Sequence, residues 1–71
     1  MPTHIRLIHR TLLDGRFHVY TSPDVAGLHA ADESLAGAQR RAIAMVEFLA
    51  DRDGVQRPSV EFSEEKALAA A

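Results

Sequence analysis

Four histidines and a scatter of carboxylates are the residues of this 71-residue chain whose chemistry could go beyond packing. A structural zinc site takes convergent cysteine and histidine ligands, and the chain has no cysteine. Of the imidazoles, His4 and His9 share a stretch of strand-like sequence but have opposite parity, whereas His9 and His18 can meet across a hairpin. His29 stands apart on a later segment, and no two of the four form an i, i+4 helical pair. Solvated or partner-facing histidines are therefore expected, with no metal and no cofactor. Metal-dependent hydrolysis would need several carboxylates converging on a divalent ion. Asp14 and Asp24 fall in turn-like sequence, and Asp32 and Glu33 precede a helix, so local structure already accounts for them. Ser22, Ser34, Ser59 and Ser63 occupy turn, cap or strand positions, none inside a Gly-x-Ser-x-Gly elbow. No enzymatic activity is expected.

The elements that position these residues follow from the pattern of the chain. Residues 4–12 are dominated by apolar and β-branched types and read as a strand, with Ile5, Leu7, His9 and Thr11 on one face. Asp14-Gly15 is a hairpin signal, because a tight primed turn needs positive φ and glycine supplies it. Phe17 to Thr21 continues as a second strand, and Ser22-Pro23-Asp24 ends it, since proline cannot donate to a ladder. Residues 27–31 suit a brief third strand.

Ser34, or Asp32, is the expected helix N-cap. Leu35, Ala38, Ala42, Met45 or Val46, and Leu49 follow the spacing of one buried helical face, while Arg40, Glu47 and Asp51 mark the solvated one. Core packing is also expected for most of Met45, Val46 and Phe48. Gly54 stops the helix and Pro58 prevents its resumption. Gly37 costs ~1 kcal/mol of helix propensity relative to alanine, which points to close packing there. Residues 59–63 alternate as a last half-buried strand, and residues 64–71 form a short helix-prone tail with a solvated run at Glu64, Glu65 and Lys66.

The expected fold is α+β, a two-layer βββαβ arrangement in which one helix covers one face of a mostly antiparallel four-stranded sheet. Residues 1–63 form the single domain. The last strand should run parallel to the first, through a right-handed crossover. A domain this small, with 6% aromatic residues and no disulfide, gains by burying surface against a partner. On the second strand Phe17, Val19 and Thr21 oppose His18 and Tyr20, and one set must face away from the helix. His18, Tyr20 and His29 are the candidate interface residues, giving a homodimer or tetramer through the open face or an edge strand.

Charge narrows the partners. Residues 1–22 carry Arg6, Arg10 and Arg16 against Asp14, while the remainder carries five basic residues against nine acidic ones. An acidic C-terminal half does not suit a phosphate footprint. No apolar run approaches the ~20 residues of a membrane span. The N-terminus lacks the basic and apolar regions of a secretory signal, so a cytoplasmic location is expected.

The run from Asp14 to Leu28, with its turn residues Ser22, Pro23, Asp24 and Gly27, resembles the N-terminal domain of HicB-like antitoxins. The family pattern continues with an acid, a serine or threonine and an alanine-rich helix, matched here by Asp32, Glu33, Ser34 and residues 36–49. The similarity covers about residues 5–62, and the family's second proline is replaced by Ala26. It implies a partial RNase H-like βββαβ fold, in agreement with the order above, and a protein-binding module. Such a module neutralises a small basic HicA-like toxin of double-stranded-RNA-binding type by covering its catalytic histidine. Many antitoxins also carry a C-terminal DNA-binding segment; these residues include none, so direct DNA binding is not expected. The alternative is a stand-alone oligomeric domain without a toxin, serving as a ligand-binding or scaffolding module.

Overall fold

A computed structural model describes residues 1–65. The elements are β1 (His4–Leu12), β2 (Phe17–Thr21), β3 (His29–Asp32), α1 (Leu35–Arg52) and β4 (Ser59–Glu64). They build one four-stranded sheet in the order β3-β2-β1-β4 with a single helix, an α+β fold. β1 pairs antiparallel with β2 and β2 with β3, while β4 lies parallel to β1 as its position after the helix requires.

The hairpin between β1 and β2 pairs Leu12 with Phe17, so that residues 13–16 form its loop. Leu13, Asp14 and Gly15 all have positive φ, at 52°, 56° and 87°. The Gly15 N–H donates to the Leu12 carbonyl and the Arg16 N–H to that of Leu13. Two tight turns thus overlap, the expected one centred on Asp14-Gly15 and another centred on Leu13-Asp14, and Leu13 carries a conformation that glycine or asparagine adopts more cheaply.

This pairing decides which face is the core. Tyr20 lies across from His9 and Ala30, on the same face as Ile5 and Leu7. Ile5, Leu7, Tyr20, Leu28 and Ala30 pack with Ala38, Ala42 and Val46 of α1, joined at the margin by Met1, Val25, Met45 and Val60. The buried helical stripe is Ala38, Ala42, Val46 and Ala50, with Gly37 at its start. It is narrower and built of smaller residues than the expected set. Leu35 is 41% exposed and Phe48 68% exposed, so neither is core, while Leu49 and Met45 are half-buried. Small side chains at i, i+4 spacing present a flat strip to the sheet; Phe48 lies two positions from Val46, about 200° round the helix, and faces water.

Both helix ends follow from local chemistry. Ser34 is the N-cap, its hydroxyl oxygen accepting from the Gly37 N–H at 2.9 Å. At the other end Gly54, with φ 75°, lets the chain reverse. The Val55 N–H reaches the Ala50 carbonyl and the Gly54 N–H that of Asp51, satisfying two of the last carbonyls.

β3 starts two residues later than expected and ends one later, because Gly27 closes a turn in which the Leu28 N–H donates to the Val25 carbonyl. β4 extends through Glu64, which therefore belongs to the sheet and not to a tail. Glu65 continues past it with its N–H on the His9 carbonyl, and residues 66–71 of the expected tail lie outside the described residues. Among the described residues, no helix is long and apolar enough to cross a membrane.

Candidate functional site

Three polar clusters hold the residues singled out by their chemistry. The first grows from the turn after β2. The Asp24 N–H donates to the Ser22 hydroxyl, a local bond that sets the direction of the Asp24 side chain. On β1, even-numbered residues aim their backbone groups toward β2, but β2 ends at Thr21, opposite Ile8. The next such group, the Arg6 N–H, would be an unpaired donor. Asp24 accepts it at 2.8 Å and takes two further bonds from the Arg6 guanidinium, at 3.0 and 2.8 Å. These bonds hold the Asp24 carboxyl at about 2, below its usual 3.8, the guanidinium bond first and the backbone bond next. Ser22, Asp24 and Gly27 thus splice a loop onto the end of a strand.

The second cluster prepares the helix. One Asp32 carboxylate oxygen accepts from both the N–H and the hydroxyl of Ser34, at 3.1 and 3.0 Å, and the other accepts from Arg41 at 3.3 Å. The Ser34 bonds, backbone first, lower the Asp32 pKa, with Arg41 adding to them. A Cβ on Gly37 would come within 2.0 Å of this carboxylate and 2.7 Å of the Ser34 hydroxyl. Close packing is therefore why a glycine sits in the first helical turn. Asp32 and Ser34 divide the capping role, Ser34 holding the helix and Asp32 holding Ser34.

The third cluster joins three strands on the helix-covered face. The buried His9 ring on β1 meets the Glu64 carboxylate of β4 through Nδ1, while its Nε2 lies 2.9 Å from His18 Nδ1 of β2. The two rings stack with centroids 5.2 Å apart, and Tyr20 packs against His9 at 5.3 Å. With His9 neutral, donation to the carboxylate puts its proton on Nδ1, so Nε2 accepts from His18. Tyr20 itself is 2% exposed, accepts from Gln39 Nε2 at 3.1 Å and meets Phe62 edge-on. Such a carboxylate–imidazole–imidazole line can orient a ring and relay a proton. Among the described residues no serine or threonine hydroxyl is hydrogen-bonded to it, so a nucleophile–base pair is not assembled here.

The interface expected from His18, Tyr20 and His29 does not come together. The register that pairs Tyr20 with His9 turns Tyr20 under the helix, and His18, two residues away, shares that face. His29 pairs with Thr21 and stands exposed on the opposite face. His4, also exposed, bonds Ser59 Oγ at 2.8 Å and Glu61 at 3.0 Å. The carboxylates are equally dispersed: Asp14 lies in the hairpin turn, Asp24 serves Arg6, and Asp32 serves the cap. Among the described residues, no group of three or more His, Asp or Glu side chains is gathered in a geometry suited to a metal ion.

Two surfaces remain after these clusters are accounted for. The face away from the helix carries the cross-strand pair Leu12 and Phe17, beside Leu13 at 66% exposure. On the other side, α1 packs over β2 and β3 and leaves a small groove toward β4, lined by Tyr20, Leu35, Gln39, Phe62, Ser63 and Glu64. The residue that sequence reasoning missed is Glu64, whose partner His9 is set by a parallel pairing that no short turn dictates. Comparison of this chain with known protein families, with curated proteins and with solved structures finds no match to any of them.

Proposed function

We propose that the chain is a protein-binding module of HicB-like antitoxin type, which neutralises a small basic, RNA-cleaving partner by covering its active site. One observation carries this reading. The carboxylates that could serve chemistry, Asp24 and Asp32, are engaged in holding the fold, while Leu12, Leu13, Leu35, Phe48 and Phe62 remain exposed. Exposed large apolar side chains on so small a domain suit a partner surface better than solvent. The acidic C-terminal half supplies the charge that attracts a basic protein. The resemblance of Ser22, Pro23, Asp24 and Gly27 to the antitoxin turn adds the partner class. Co-expression with the product of the adjacent gene tests it: a complex on a sizing column and rescue of growth support the reading, and the lack of both rejects it.

A second reading, a stand-alone oligomeric domain without a toxin, is favoured by the Leu12–Phe17 pair on the open face next to Leu13. Two copies pairing these faces would cover the three side chains. Light scattering at micromolar concentration distinguishes the cases, a dimer or tetramer supporting self-association and a monomer opposing it.

A further inference from the structure

We infer that the free edge of β4 is a docking strand for an extended partner segment in which basic and apolar residues alternate. Among the described residues β4 is the outermost strand on its side of the sheet. The Ser59 N–H donates to the Thr3 carbonyl and the Glu65 N–H to that of His9, so odd-numbered residues of β4 turn their backbone groups toward β1. The N–H and C=O groups of Val60, Phe62 and Glu64 therefore point outward along the edge, in position to accept an added strand.

The side chains specify what kind of strand. Val60 and Phe62 lie on the helix-side face, where Phe62 is 42% exposed and flanks the groove that Leu35 borders from α1. Apolar residues of an added strand would extend this row and reach the groove. On the other face lies Glu61, 3.0 Å from the exposed His4, with Glu65 just past the end of the strand; Glu64 stays on the helix side, bonded to His9, and residues 59–65 contain no basic side chain. Arg6, which lies across from Glu61, is already committed to Asp24. The edge is thus acidic, and a second copy of β4 laid against it would set glutamates beside glutamates. Charge favours a basic segment over self-pairing. The proposal deepens the antitoxin reading by naming the surface and chemistry through which a basic partner is held.

The test is an NMR titration of the isotopically labelled chain with a short synthetic peptide of alternating lysine and valine, and with a glutamate–valine peptide as control. The expected result is slowed hydrogen exchange at the Val60, Phe62 and Glu64 amides with the lysine peptide alone. Replacing Glu61 and Glu65 by glutamine should weaken that binding by about tenfold or more, with the spectrum of the fold retained. Unchanged exchange at these amides, protection by both peptides alike, or protection that appears without peptide as protein concentration rises would overturn the proposal. A toxin complex that leaves these amides unprotected would retain the function and reject the surface. Protection by the lysine peptide without any toxin complex would do the reverse.

Discussion

Asp24 accepts the backbone N–H of Arg6 at 2.8 Å while pairing with the guanidinium of the same residue. A single carboxylate thereby finishes a ladder that β2 leaves one step short, and anchors the turn whose residues carry the family resemblance. The Asp24 pKa is depressed to about 2 from 3.8, so its contribution to stability is complete above about pH 4 and fades as pH falls toward 2. Asp24→Asn should lower the melting temperature at neutral pH. It should also flatten the loss of stability between pH 4 and 2, as followed by circular dichroism.

Leu13 sits at φ 52° in a solvent-exposed turn, where a branched side chain gains little from packing. Leu13→Asn should stabilise the chain by about 0.5–1 kcal/mol, because asparagine tolerates the left-handed region. In a domain of this size that corresponds to a rise of roughly 3–6 °C in melting temperature by calorimetry.

Gly37 and Ser34 should not act independently. Ser34→Ala alone should cost about 1 kcal/mol by loss of the cap. Gly37→Ala gains ~1 kcal/mol of helix propensity but displaces the Asp32 and Ser34 side chains, so no net stabilisation is expected. In the Gly37→Ala background Ser34→Ala should be close to neutral, a coupling that a double-mutant cycle in urea measures directly.

Tyr20→Phe removes the acceptor of Gln39 and leaves the ring contacts with His9 and Phe62 in place. The expected loss is about 0.5–1.5 kcal/mol in urea unfolding, with no change in oligomeric state. A change in oligomeric state would mean that Tyr20 reaches a second copy.

Much of this architecture is legible in the residues, for physical reasons that differ by element. Ser34 and Gly54 bracket α1 because caps are local chemistry, read from one or two side chains. Gly37 signals close packing, since alanine would otherwise be preferred there. The burial of Tyr20 was also legible: pairing Leu12 with Phe17, which either hairpin turn produces, places Tyr20 opposite His9 on the face of Ile5 and Leu7. Two-residue alternation alone leaves both faces of β2 equivalent, and both hold an aromatic residue. Glu64 was not legible in this way. Its meeting with His9 depends on how β4 registers against β1 after a helical crossover, and that register follows from tertiary packing. The exposure of Phe48 and Leu35 likewise reflects how narrow a strip of α1 the sheet accepts.

The most direct test of a binding role carried by the acidic edge is a growth-rescue assay against the co-expressed basic partner. It compares the unaltered chain, Asp24→Asn, and the variant with Glu61 and Glu65 both changed to glutamine. The account predicts that Asp24→Asn still rescues below its lowered melting temperature, whereas the glutamine variant folds and fails to rescue. Full rescue by a folded glutamine variant would contradict it.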